Sequence, residues 1–260
     1  MEINKNYNES NLDTMARMPN NFIDLTVTSP PYDNLRTYNG YCFDFEKVAK
    51  ELFRVTKQGG VVVWVVGDAT IKGSESGMSF KQALYFIECG FNLHDTMIYE
   101  KNSSAFPASR TGNRYTQIFE YMFVFSKGKP KCNLIIDKPN KWAGFTNWGN
   151  NTQYNKEGEL VKTNNIKPIQ EFSPRNNIWR YVVGFNDKTG HPAVFPEQLA
   201  SDHILSWSNE GDLVYDPFMG SGTTAKMALK NKRNWIGSEI SKEYCEIINK
   251  RIGAVAPLLF

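Results

Sequence analysis

Two stretches of the chain bring together residue types that can do chemistry. In "DLVYDPFMGSGTTAKMAL", residues 212–229, an apolar strand ends on Asp216, and Gly220 and Gly222 precede a helix that starts near Thr223. Glycines at such a turn allow positive φ and let a ligand approach the backbone closely. Seventeen residues beyond Gly222, the next strand, "NWIGSEI", ends at Glu239. An acidic side chain at that tip can accept hydrogen bonds from two ribose hydroxyls, the logic of dinucleotide folds. The dinucleotide pattern, however, asks for a third glycine where Ala225 stands. The phosphate-loop pattern asks for Gly-Lys-Ser/Thr, and here Gly222 is followed by Thr-Thr-Ala-Lys. A nucleoside without phosphates fits better, and S-adenosylmethionine is such a ligand: adenine, ribose and an amino-acid tail. The second stretch is "LTVTSPPYDNL", Leu25 to Leu35, where a β-like run stops on Ser29-Pro30-Pro31-Tyr32. Neither proline can donate to a sheet ladder, so the strand ends there. It is either an ordinary rigid exit or a strand end that presents a stiff backbone to a substrate.

Taken in order, "TSPPY", "HPAVFPEQL" (191–199) and "DPFMGSGTT" resemble the amino-methylating DNA methyltransferases, which modify an exocyclic base nitrogen, in their β-type motif arrangement. The resemblance covers most of the chain. It implies that Asp216, Phe218, Gly220, Gly222 and Thr223 line the methionine and adenosine side of S-adenosylmethionine, with Glu239 on the ribose. It places Phe195 and Pro196 over the methionine part, and Pro196 also suits the first position of a helix. The family often has Gly-Asp where this chain has Glu9-Ser10, so Ser10 stands where a contact to the adenine is expected. The partners implied are double-stranded DNA, a second copy of the chain as a homodimer, and a cognate restriction endonuclease.

For such a reaction the strand stop acquires a purpose. An exocyclic amine is a poor nucleophile because its lone pair is delocalised into the ring. Acceptors at the amine protons draw electron density onto the nitrogen and aim it. Ser29 Oγ and the carbonyl of Pro30 are the natural acceptors, and Pro30 and Pro31 hold that carbonyl by fixing φ. Tyr32 offers a face on which a flipped base can stack, worth about 1–3 kcal/mol. Methylation at cytosine C5 needs a covalent nucleophile, typically a cysteine after a proline, and none of the four cysteines follows one. Adenine enzymes of the family usually carry Asp or Asn where Ser29 stands, whereas serine is typical of the cytosine-N4 group. Site-specific methylation of cytosine N4 in duplex DNA is therefore expected, with adenine N6 as the alternative. Methylation of RNA or of a small molecule on the same fold, and a nucleic-acid-binding module without catalysis, are the rival readings.

The elements that must position these residues alternate in the α/β manner. "FIDLTVTS" (22–29), "VVVWVV" (61–66), "LHDTMIYE" (93–100), "QIFEYMFVFSKG" (117–128), "DLVYDPF" and "NWIGSEI" read as strands. Val48, Leu52 and Val55 mark one helix, with Gly59-Gly60 as its stop signal; Phe80, Ala83, Leu84 and Ile87 mark the buried face of another. Further helices are expected in "FPEQLASDHILSWS", from Thr223 to Asn231, and after Ser241 as N-cap. The rhythm predicts a doubly wound, mostly parallel sheet of the S-adenosylmethionine-dependent methyltransferase type with an inserted target-recognition region. Residues 1–128 and 186–260 would form the catalytic and cofactor-binding domain, and 129–185 the DNA-binding insertion.

Charge supports that division. The 260 residues carry +3 overall, but residues 127–188 hold 11 Lys and Arg against 5 Asp and Glu, leaving −3 on the rest. A basic segment on a mildly acidic body suits a polyanion. Lys138 and Lys141 are candidate phosphate contacts, with Lys129 and Lys131, while Arg175 and Arg180 can reach phosphate or guanine. Arg36, Arg110 and Arg114 lie in polar loops after strand ends on the catalytic side. Trp142, Phe145, Trp148 and Tyr154 either stack on bases or pack a local core. Asp68, at the end of "VVVWVVGD", either lines the site or starts a helix, and His94 and His203 read as structural. The cysteines form no C-x-x-C pair and the histidines number three, which leaves little for a metal centre or disulfide framework. No run approaches the ~18 apolar residues of a membrane span, and no basic-then-apolar leader opens the chain. A cytosolic protein without a membrane partner is expected.

Overall fold

The computed structural model describes residues 1–31, 43–104, 112–146, 151–163, 167–182 and 196–255. Tyr32, Arg36, Arg110, Trp148 and Phe195 lie outside them. Val61 to Val66, the β-branched run around Trp64, are buried throughout, as a strand covered on both faces requires. Among the described residues, eight strands share one sheet: β1 (Lys5–Tyr7), β2 (Ile23–Thr28), β3 (Thr56–Val66), β4 (Asn92–Lys101), β5 (Phe119–Ser126), β6 (Ile178–Tyr181), β7 (Leu213–Asp216) and β8 (Asn234–Ser238). Their order is β1–β8–β7–β2–β3–β5–β4–β6. Only β5 runs against its neighbours β3 and β4; every other pair is parallel. The chain winds outward in both directions from the β7–β2 junction. Ligands in such sheets bind outside the carboxyl ends of the strands at that reversal.

Helix α1 (Asn11–Ala16), α2 (Phe45–Val55) and α3 (Met78–Glu88) cover one face, joining Val62, Trp64, Val66, Phe123 and Phe125 in one core. In α2, Val48, Ala49, Leu52 and Val55 are all buried, each worth about 1.5–3 kcal/mol for a Val or Leu. Asp44 caps the helix by accepting from the Lys47 N–H at 3.2 Å. The odd-numbered side of β3 faces the opposite layer, where α4 (Glu197–Trp207) and α5 (Thr223–Lys230) pack. The last helix, α6 (Lys242–Gly253), starts on Ser241, whose hydroxyl accepts from the Tyr244 N–H at 3.3 Å.

Two expectations are corrected. Gly59-Gly60 does not stop α2: the helix ends at Val55 and β3 begins at once with Thr56. The glycines serve a register shift between Ile23↔Thr56 and Leu25↔Val61, and a Cβ on Gly60 would lie 2.8–3.0 Å from Thr56 Cγ2, the Lys57 carbonyl and the Asp24 carbonyl. In α3 the buried face is Ser79, Gln82, Ala83 and Phe86, while Phe80, Leu84 and Ile87 stand 51%, 61% and 42% exposed. The face is set by Trp64, whose Nε1 donates to Gln82 Oε1 at 2.8 Å, so a polar residue takes the inner side.

The chain divides into two compact units, residues 1–133 with 177–260, and residues 134–176. The second unit is thus narrower than the 129–185 expected, because Ile178–Tyr181 pairs with β4 as the edge of the main sheet. Within the second unit, Ile136–Pro139 pairs antiparallel with Phe172–Pro174, and Asn151–Tyr154 with Leu160–Thr163. Trp142 and Phe145 meet edge to face at 5.4 Å, and each is 55% exposed.

Candidate active site

The tips of β2 and β7 lie side by side, with Leu25 opposite Val214 and Thr26 opposite Tyr215. Beyond the paired residues, Thr28 Oγ1 donates to Asp216 Oδ1 at 2.7 Å, and the same oxygen accepts the Phe218 N–H at 3.0 Å. The second bond is an Asx turn that bends the chain through Pro217. Asp216 is only 5% exposed. Burial pushes its carboxyl above the usual range, against the hydrogen bonds from Thr28, the Phe218 N–H and Thr224. Thr224, in the first turn of α5, returns a bond to the Val27 carbonyl at 3.2 Å. Asp216 therefore acts on the protein itself, locking the strand tip before Ser29 to the tip before the glycine loop.

The loop from Pro217 to Gly222 is held at several points. Met219 N donates to the Ser238 carbonyl at 3.1 Å, and Gly222 N to the Met219 carbonyl at 2.8 Å. Gly220 and Gly222 adopt φ of 49° and 81°, in the left-handed region that favours glycine. A Cβ on Gly222 would lie 3.0 Å from Ile248 Cγ1. Thr223 opens α5 as expected and is buried. Phe218 turns back to the core, edge-on to Phe43 at 4.9 Å.

Glu239 follows the tip of β8 and faces this loop. Its Oε2 accepts the Gly220 N–H and its Oε1 the Ser241 N–H, both at 2.8 Å. Burial raises its pKa, opposed by those two amides. Each carboxylate oxygen retains a further lone pair, the capacity a ribose diol would use. The N-terminal segment closes the same end: Glu239 N donates to the Tyr7 carbonyl at 3.0 Å, and Asn8 Nδ2 to the carbonyls of Glu239 and Ile240 at 2.8 and 3.0 Å. Ser10 spends its hydroxyl as the N-cap of α1, accepting from Leu12 N at 3.3 Å. The neighbouring Asn11 is what reaches the loop, its Nδ2 donating to the Pro217 carbonyl at 3.3 Å. Among the described residues, Asn11 Oδ1 is buried without a hydrogen-bond partner, an acceptor beside the loop that a ligand N–H would satisfy. The left-handed glycines, the half-buried Glu239 and this orphaned acceptor together fit a nucleoside carrying an amino group.

Ser29, half-buried, and Pro30, buried, continue directly from Thr28, with Pro31 half-buried after them. Pro196 is the N-cap of α4 and not its first helical residue, its carbonyl accepting the Ala200 N–H at 3.1 Å. Asp68 serves the start of α3: its Oδ1 accepts the Ser79 N–H at 3.0 Å and the Ser76 hydroxyl at 3.1 Å. His203 is fully buried, between Met122 Sδ at 3.2 Å and Trp207 Nε1 at 3.3 Å, and burial brings its pKa down to about 3. It is a structural histidine. Among the described residues no cluster of His, Cys, Asp and Glu suits a metal ion, and no helix is long and apolar enough to cross a membrane.

The candidate DNA-facing cations separate into two groups. Arg175 is bound through Nε and Nη2 to Asp137, Arg180 pairs with Glu100, and Arg114 bonds the Gly73 carbonyl with Glu75 beside it. Lys138 and Lys141 are exposed and have no ion pair among the described residues, Lys141 resting 5.3 Å from the Trp142 ring centre. Sequence reasoning passed over Thr28, Thr224 and Asn11. Thr28 blends into the β-branched run, and Asn11 carries no motif of its own.

A match to the N6/N4 DNA methylase family spans residues 23–250 of the chain. The chain belongs to this family. Over 237 residues it is 62% identical to the orphan methyltransferase M.BamHII of Bacillus amyloliquefaciens, covering 88% of each protein. Among solved structures, the methylase resembles the PvuII DNA methyltransferase, described as cytosine-N4-specific, with a TM-score of 0.70 at 23% identity over 95% of this chain and 85% of the other. It also resembles M1.HpyAVI in a complex with S-adenosylmethionine, with a TM-score of 0.61 at 24% identity over 95% of this chain and 98% of the other. The methylase thus has the doubly wound, mostly parallel fold that its strand rhythm predicts.

Proposed function

We propose that this methylase transfers a methyl group from S-adenosylmethionine to the exocyclic N4 of a flipped cytosine in duplex DNA. The observation that carries the reading is the Thr28–Asp216 bond, which ties the Ser29-Pro30 strand exit to the glycine loop. When bound, the cofactor supplies a methyl carried on a sulfonium, already a good electrophile. The chain's own residues bind and orient. Glu239 takes the ribose hydroxyls, the Gly220–Thr223 turn gives a close backbone surface, and Asn11 Oδ1 accepts a ligand N–H. Ser29 Oγ and the Pro30 carbonyl accept hydrogen bonds from the amine N–H groups, so that electron density gathers on the nitrogen in the geometry of attack. Tyr32 provides the stacking face for the base. The choice of cytosine rests on serine at position 29, in the resemblance already described.

Lys138 and Lys141 of the second unit contact backbone phosphates and bring positive charge to the duplex. The family match and the likeness to M.BamHII support a restriction-modification methylase on double-stranded DNA, with a cognate restriction endonuclease as its partner. The exposed Phe80, Leu84 and Ile87 of α3 give a homodimer an apolar surface to cover.

The reading is tested with purified protein, methyl-tritiated S-adenosylmethionine, and duplex DNA, single-stranded DNA and RNA, followed by digestion to nucleosides. Label in N4-methyldeoxycytidine from the duplex is expected. Label in N6-methyldeoxyadenosine moves the assignment to adenine, and label only in RNA overturns the DNA substrate.

A further inference from the structure

Helix α6 supports the glycine loop from the side away from the strand tips. Ile248 occupies the space where a side chain on Gly222 would go. Three residues on, and so on the same face of the helix, Arg251 reaches the loop. Its Nη1 donates to the Ser221 carbonyl and to Ser221 Oγ, each at 2.7 Å, and to Thr223 Oγ1 at 3.3 Å. Its Nη2 donates to Glu197 Oε1 at 2.9 Å. Glu197 is the first residue of α4, directly after Pro196, and also pairs with Lys226 of α5. One guanidinium thus joins the glycine loop to the start of the helix whose preceding segment is expected to close over the methionine part. The Arg251 side chain is only 15% exposed, where charge-assisted bonds are strong.

The Ser221 carbonyl and the Gly222 N–H belong to one peptide unit. That unit is pinned at both ends, by Arg251 on the carbonyl and by the Met219 carbonyl on the N–H. Gly220 and Gly222, on either side of Ser221, both sit in the left-handed region, and these two bonds fix the peptide between Ser221 and Gly222 within that turn. We propose that Arg251 is a positioning residue for cofactor binding, holding the Gly220–Thr223 turn in its ligand-binding conformation and coupling it to the start of α4 through Glu197. The role rests on the S-adenosylmethionine reading. It needs a planar fork of donors, which lysine lacks.

The test compares the wild type with Arg251→Ala and Arg251→Lys in three measurements. These are amide hydrogen exchange of residues 220–223 in the ligand-free protein, calorimetric titration with S-adenosylmethionine, and turnover at saturating cofactor. In Arg251→Ala the loop amides exchange about tenfold faster or more, and Kd rises about tenfold or more, as loss of one bond to a charged group gives. Turnover at saturation falls far less than affinity, and Arg251→Lys recovers part of the affinity. Loop exchange and Kd equal to wild type in folded Arg251→Ala overturn the proposal. Should that variant fail to fold, Arg251→Lys decides: several-fold faster loop exchange and weaker binding are expected, and wild-type values in both overturn it. If the wild type itself takes up no S-adenosylmethionine, the cofactor reading fails, while the exchange comparison still decides the clamp.

Discussion

Thr28 gives its hydroxyl hydrogen to Asp216 across 2.7 Å, joining the strand that ends on Ser29 to the strand that ends on the glycine loop. Both side chains are buried, and the bond lies at the point where the sheet's winding reverses. The glycine loop and the Ser29-Pro30 strand exit are held in register by this contact.

Replacing Thr28 by valine keeps the shape and removes the donor, leaving a buried carboxylate with one partner fewer. Urea unfolding should show a loss of about 1–3 kcal/mol, and methyl transfer should fall with it. A variant as stable and as active as the wild type would remove the bond from the account.

Ser29→Ala separates chemistry from binding. Turnover is expected to fall about a hundredfold, as when one aligned polar group is lost from a transition state, with Kd for S-adenosylmethionine unchanged. Equal losses in both quantities contradict the role given to Ser29.

Glu239 makes the site sensitive to acid. Burial holds its folded-state pKa above the ordinary 4.5. The ligand-free folded protein therefore binds this proton more tightly than the unfolded chain, and the stability so gained is lost as pH rises from 4.5 through the raised value. In the proposed reading Glu239 accepts the ribose hydroxyls of the cofactor, which favours the ionised carboxylate, so affinity should drop as pH falls through that same window. Calorimetric titration across the window should show the drop in the wild type and a flat, weaker profile in Glu239→Gln. An equally steep profile in the variant would assign the proton elsewhere.

The free and the paired cations of the second unit should differ on DNA. Lys138→Ala and Lys141→Ala should each reduce the slope of log K against log salt by about 0.9. Arg175→Ala should change it less, because Asp137 already neutralises that guanidinium. Equal effects from all three would mean that the Asp137 pair opens on DNA.

Much of this was legible in the sequence because the relevant signals are local. A β-branched run, a Gly-x-Gly turn and an acidic strand tip each state their structure within a few residues, so β2, β3, β7 and β8 and the placement of Glu239 follow directly. The face of α3 was misread because apolar spacing alone marks Phe80, Leu84 and Ile87, whereas the inner face is chosen by the Trp64–Gln82 hydrogen bond. Gly59-Gly60 was misread as punctuation because nothing local reveals a register shift against β2. The bonds that assemble the site join residues far apart in the chain, such as Thr28 with Asp216, Asn11 with Pro217, and Arg251 with Ser221 and Glu197. Partners of that kind become visible only when the fold brings them together.

The most direct test of the central claim is base-resolved sequencing of DNA from cells expressing the protein, beside cells expressing Ser29→Ala. N4-methylcytosine at one fixed sequence context, lost in the variant, is the predicted result. N6-methyladenine at a fixed context, or no modified base while the folded protein binds S-adenosylmethionine, would contradict it.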